Sequence, residues 1–313
     1  MATRSRRTLF AALLAASVAG PVTGAARPGA VPAPTPAPVP PLTATTPAVL
    51  AARYAASRTQ IRAAEQTAER HGHRWRAARL REMADPARTF LSFDGRDGGR
   101  TAEVFGELSH AERIAVLVPG ADINLDTYGL LHGGSLRLRA ALDDRSAVIA
   151  WLGYATPASV SLQALTPSGA RRAAPALRAF VREIRAARPG TRISLLCHSY
   201  GSVVCGRAAP GLDVADIVLF GSPGAGVTEA AQLRTRARVW AGRTSGDWVG
   251  GLPHALIELP FATVGLGADP LWPAFGARIF AAGGGGHSDY LAAGSTALAN
   301  IARIVSGRAG DDA

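Results

Sequence analysis

The chain has 313 residues, 48% of them hydrophobic, which is enough for one sizeable domain with its own core. All 34 basic residues are arginine, so neither a lysine Schiff base nor a phosphate-loop lysine can be built from it. The net charge of +11 sits mainly at the start: residues 1–100 hold 15 arginines against 6 acidic residues and the rest 19 against 17, which argues against a nucleic-acid groove on the larger part.

In chain order, MATRSRRTLFAALLAASVAG opens with arginines and continues in an apolar run from Thr8 to Val22, ahead of small residues. That run is too short for a membrane span and predicts a secretory signal peptide over 1–25, hence a secreted or envelope-associated protein. SRRTLF suits a twin-arginine signal as well as an ordinary one. Residues 26–47 are Pro-rich and predict an extended linker. Residues 48–85 are rich in Ala, Arg, Glu and Gln and predict one helix that stops before Asp85 and Pro86. Its charges fit a solvated face or a weak association with the anionic cell envelope.

From 86 to 306 short β runs alternate with helical stretches, and 307–313 is left as a tail. TFLSF and TAEVFGEL flank DGRDGG, a hairpin signature. RIAVLVPG, SAVIAWLGY, RISLLCHS, DIVLFGSPG, RVWAGRTSGD and ARIFAAGGGGHSDY follow, with a clear helix at 168–188. Continuous apolar strands separated by helices predict a mostly parallel sheet with helices on both faces.

Ligands of such sheets sit at the carboxyl ends of the strands, so the strand ends carry the search for chemistry. RISLLCHSYGSVVCG reads as strand, sharp turn and helix, with Ser199 at the turn and Gly201 two residues on. A serine hydroxyl is a weak nucleophile and needs a base, which in turn needs an acid to orient it. The second strand after this turn ends at Asp247 and the third at His287, which is the order Ser, acid, His of a nucleophile elbow and its partners. Cys197 stands where G-x-S-x-G has its first glycine. His198, His254, Asp269, Asp289 and Glu258 are weaker candidates. His71, His73, His110 and His132 precede the turn, and Asp213 and Asp216 fall at the opposite end of the sheet. The glycines before His287 lack dinucleotide or P-loop spacing and read as a tether for it.

On CHSYGS, the VPG that closes the third strand run RIAVLVPG and the late GHSDY, the chain resembles the α/β-hydrolase superfamily, in particular an actinobacterial exported branch. The resemblance covers about residues 86–306. It implies an α/β-hydrolase fold preceded by an N-terminal helix, Ser199 as nucleophile, His287 as general base and acid, and Asp247 as its orienter. It also implies an oxyanion hole from the backbone N–H groups of Tyr200 and Ala121.

Cys197 and Cys205 are expected as two small packed thiols, too few for a disulfide framework or a structural zinc site. The apolar stretch 250–276 is expected either to pack on the core or to wall an acyl pocket. The function these features support is an exported serine esterase or lipase-like hydrolase acting on a small or lipid-like acyl substrate, with no cofactor or metal. Acyl transfer on the same residues, or non-catalytic envelope binding on a hydrolase scaffold, are the alternatives.

Overall fold

The computed structural model describes residues 31–159, 161–259 and 262–309. The expected signal peptide 1–25, the first linker residues and the end of the tail lie outside these.

Eight strands form one sheet in the order β1-β2-β4-β3-β5-β6-β7-β10. They are β1 (Thr89–Asp94), β2 (Arg100–Phe105), β3 (Arg113–Val118), β4 (Ser146–Leu152), β5 (Arg192–His198), β6 (Asp216–Phe220), β7 (Arg238–Gly242) and β10 (Arg278–Ile279). From β4 to β10 every pairing is parallel, with Val116 opposite both Ile149 and Leu195. The hairpin β1–β2 adds antiparallel strands at one edge, and its turn is made possible by positive φ at Asp97, Gly98 and Gly99.

Six helices are described: α1 (Pro47–Arg70), α2 (Arg74–Met83), α3 (Gly129–Ala140), α4 (Ser168–Ala187), α5 (Gly201–Ala208) and α6 (Thr296–Val305). In α4 the buried residues Ala170, Ala173, Ala174, Leu177, Val181 and Ile184 recur at helical spacing, so one face is apolar and packs on the sheet. Ile114, Val116, Ile193 and Leu195 share that core. The intervening Ala115, Leu117 and Leu196 are equally buried, because the pleat turns them to the other face of a sheet covered on both sides.

The N-terminal part departs from expectation in two ways. The helix is broken at Gly72, whose φ of 77° leaves the helical region, so α1 and α2 fold back on one another. The linker is not a free tether from Ala37 onward. Leu42 is buried and its N–H donates to Glu183 Oε1 at 2.7 Å, while Gln60 Nε2 donates to the Ala37 carbonyl at 3.1 Å and Arg53 to that of Pro40. A proline-rich chain leaves its carbonyls unpaired, and helix α1 supplies the donors. Much of the basic charge here ties the segment down: Arg53 meets Glu183, Arg76 meets Asp126, Arg81 meets Glu65 and Glu69, and Arg88 meets Glu103.

Candidate active site

The carboxyl ends of β3, β5, β7 and β10 bring the relevant groups together. β5 ends at His198, and Ser199 then adopts φ 52°, a left-handed conformation that a side-chain-bearing residue holds only where its surroundings enforce it. They do so by close approach. A Cβ on Gly201 would lie 2.6 Å from the carbonyl oxygens of Val118 and Pro119, and one on Gly120 would lie 2.6 Å from the Ser199 Cβ. The two glycines thus let the loop after β3 pass directly beside the serine. Tyr154 fixes that loop, its buried hydroxyl donating to the Pro119 carbonyl at 2.7 Å.

Cys197 occupies the elbow position where a glycine is usual, and the structure corrects the expectation of free thiols: Cys197 and Cys205 form a disulfide. Both are fully buried, and the bond ties the last turn of β5 to α5 across the elbow. Eight residues separate them in sequence, but the sharp turn folds helix onto strand and brings their Cα atoms to 6.3 Å.

Ser199, His287 and Asp247 form a continuous hydrogen-bonded chain. Both Asp247 oxygens accept from His287 Nδ1, at 2.9 and 3.0 Å, so the neutral imidazole keeps Nε2 free to accept. Nε2 lies 2.9 Å from Ser199 Oγ. Asp247 is 7% exposed and also accepts the Val249 N–H at 2.9 Å and the Tyr290 hydroxyl at 2.5 Å. Burial pushes its carboxyl up, but the bonds from His287, Tyr290 and Val249 outweigh it and bring it down to about 2. The same burial, with the Asp247 charge, raises the Tyr290 hydroxyl well above its ordinary value, so it stays a donor.

Two rings pack against His287 in tilted contacts, His198 at 4.8 Å and the exposed Trp248 at 4.9 Å between centroids. The tether before it is ordered by Asp289, whose Oδ2 accepts the Gly286 N–H at 2.7 Å. Asp289 therefore shapes the loop and does not contact the imidazole nitrogens.

The other candidates bond elsewhere. His198 reaches the His287 carbonyl, not Ser199 Oγ. His254 and Asp269 join Arg243 in a cluster that anchors the excursion after β7, with Arg243 Nη2 to Asp269 Oδ2 at 2.6 Å. The side chain of Glu258 lies outside the described residues. His132 pairs with Glu103, and Asp216 is fully buried at the start of β6 between Arg192, Arg238 and Trp240. Tyr200 follows the serine as the residue before α5, and Ala121 follows Gly120 beside it. Among the described residues neither backbone N–H donates to a protein acceptor.

A cavity of about 450 Å³ opens over Ser199 and His287. Its walls come from the loop after β3, from α3 and from Tyr290 and Leu291. Among the described residues, the excursion 250–276 does not line it: Leu266 and Phe275 instead bury themselves in the main core, and a separate hairpin of β8 (Ile257–Leu259) and β9 (Ala262–Val264) stands apart from the large sheet. Tyr290, Trp248 and the α3 wall carry no strand-end signal in the sequence, although Tyr290 falls in GHSDY three residues past His287.

A mostly parallel eight-stranded sheet with a serine at a strained strand-to-helix turn defines the α/β-hydrolase class. The chain belongs to the alpha/beta hydrolase family whose model matches residues 94–256, a stretch that contains Ser199 and Asp247 and ends before His287. Uncharacterized proteins of Mycobacterium tuberculosis and Mycobacterium bovis are each 32% identical to it over 176 residues. That match covers 50% of this chain and 66% of the relatives, just under two thirds of their length. Among solved structures the chain is similar to esterase LipW from Mycobacterium marinum, with TM-score 0.45 and 15% identity over 85% of this chain and 92% of that one. It is also similar to a lidless serine hydrolase from Xanthomonas campestris, with TM-score 0.43 and 14% identity over 71% and 93%.

Proposed function

We propose that the protein is an exported serine hydrolase of carboxylic esters, working through Ser199, His287 and Asp247. The observation that carries this reading is the unbroken chain from Ser199 Oγ through both His287 nitrogens to a carboxylate held ionised at 2.9–3.0 Å. Ser199 Oγ attacks the ester carbonyl as its proton passes to His287 Nε2, and Asp247 stabilises the imidazolium that forms. The carbonyl oxygen gains negative charge between the N–H groups of Tyr200 and Ala121, which are free to donate to it. His287 returns the proton to the leaving alkoxide, and a water activated by the same imidazole then hydrolyses the acyl-enzyme.

An acyl substrate is supported by the apolar lining of the cavity, with Ile123, Leu130, Leu131 and Leu291 on its walls. Acyl transfer to an alcohol needs the same residues and differs only in what deacylates the enzyme. A purely scaffolding role gives no reason for the imidazole to bridge serine and carboxylate. Export is supported by the leader sequence, and the Cys197–Cys205 disulfide suits an oxidising compartment. A weak envelope contact through the basic N-terminal segment rests on its arginine excess alone.

The test is turnover of short p-nitrophenyl esters together with fluorophosphonate labelling. The wild type is expected to label, and Ser199→Ala to lose the label and about 10⁴-fold or more in kcat. An unlabelled wild type, or a Ser199→Ala variant with full activity, rules the assignment out.

A further inference from the structure

Among the described residues, Arg137, on the third turn of α3, is the single arginine lining the Ser199 cavity. Its Nε donates to the carbonyl of Leu291 at 2.5 Å, which fixes the guanidinium against the segment that follows His287. Nη1 and Nη2 remain: among the described residues they have no acceptor, and no carboxylate lies within ion-pair distance. A Cβ on Gly133 would meet Arg137 Nη1 at 3.3 Å, so the glycine leaves room for the guanidinium, while Leu130 and Leu131 of the same helix add apolar side chains to the wall. Asp122, the one carboxylate on the wall among the described residues, directly follows Ala121 and accepts the Ser159 N–H at 3.1 Å. The cavity is therefore negative beside the Ala121 end and positive at α3, with apolar residues between.

Arg137 is a solvent-exposed residue of the cavity wall, so an uncharged acyl chain in this space neither needs nor gains a polar contact with its guanidinium. A planar carboxylate meeting the two Nη groups end-on would gain two charge-assisted hydrogen bonds. We propose that the substrate is a carboxylic ester whose acyl portion ends in a second carboxylate, bound by Arg137 while the ester carbonyl lies at Ser199. This rests on the hydrolase reading of the same site.

The test compares p-nitrophenyl esters of equal chain length, the adipate monoester and the uncharged hexanoate. The ratio of their kcat/KM values, adipate over hexanoate, is expected to fall about tenfold to a hundredfold in Arg137→Gln, to fall further in Arg137→Glu and to be partly kept in Arg137→Lys. A ratio that moves less than twofold in Arg137→Gln overturns the inference while leaving ester hydrolysis standing. Calorimetric binding of adipate dianion to the Ser199→Ala protein, with and without Arg137→Gln, is independent of turnover. Arg137-dependent adipate binding in a protein that hydrolyses no ester would uphold the anion site and remove the hydrolase reading. Adipate binding that ignores Arg137, or inorganic phosphate binding there more tightly than adipate, overturns the carboxylate assignment.

Discussion

His198 Nε2 lies 2.8 Å from the backbone carbonyl oxygen of His287. A carbonyl can only accept, so this nitrogen carries a proton and His198 acts as a clamp on the loop that presents the imidazole. Burial, reinforced by the nearby His287, lowers His198 to about 4, so it is neutral across the working range and adds no charge beside the base. His198→Ala should lower kcat about tenfold with a smaller change in KM, and His198→Gln, which can still donate, should recover part of it. Equal loss in both variants would show that ring packing, not the hydrogen bond, positions His287.

Acid stability follows from the same two shifted groups. The folded state holds Asp247 at about 2, below its unfolded value of 3.8, so its contribution is present above 3.8 and is lost as pH falls toward 2. His198, lowered from 6.5 to about 4, binds its proton less readily in the fold, so stability also declines as pH drops from 6.5 to 4. Tyr290→Phe removes the 2.5 Å hydrogen bond to Asp247 and should move the acid-unfolding midpoint to higher pH, read by circular dichroism. An unchanged midpoint would mean that the tyrosine bond contributes nothing to holding the carboxylate ionised.

Asp247→Asn keeps the shape of the acid but carries no charge to stabilise an imidazolium, and its amide NH2 can donate to Nδ1 and favour the wrong tautomer. A loss of about 10³- to 10⁴-fold in kcat is expected, with the fold intact by circular dichroism. Retention of more than a tenth of the activity would point to a different acid.

Gly201→Ala places a methyl 2.6 Å from two backbone oxygens of the loop after β3. Neither is the end of a flexible side chain, so strand and helix must part. We expect a loss of about 1–3 kcal/mol in chemical denaturation and a larger proportional loss of activity, since the same loop carries Ala121.

The disulfide joins two buried cysteines across the elbow. Replacing both by alanine should cost about 2–3 kcal/mol, chiefly by freeing the unfolded chain, and lower Tm accordingly. Because both sulfurs are inaccessible in the folded protein, reductant alone should leave the native enzyme's Tm unchanged until it begins to unfold.

The sequence by itself determined the alternation of apolar strands and helices, and with it the sheet class and the ends of β5 and β7 where Ser199 and Asp247 fall. Those features are local: continuous burial shows as continuous apolar runs, and a nucleophile elbow shows as a small residue just past a strand. The break at Gly72, the docking of the proline-rich segment on α1 and α4, and the burial of Leu266 and Phe275 from the 250–276 excursion in the main core were decided by tertiary structure. Each depends on which surface a segment finds to cover, and hydropathy alone does not encode that. The pairing of Cys197 with Cys205 is of the same kind, since eight residues of separation permit it only once the elbow folds back. The positioning groups around His287, namely His198, Trp248 and Tyr290, and the lone cation Arg137 lie far apart in the chain or on the unmarked face of a helix. The folded sheet ends, α3 and the final loop place them within a few ångströms of one another or of a single cavity.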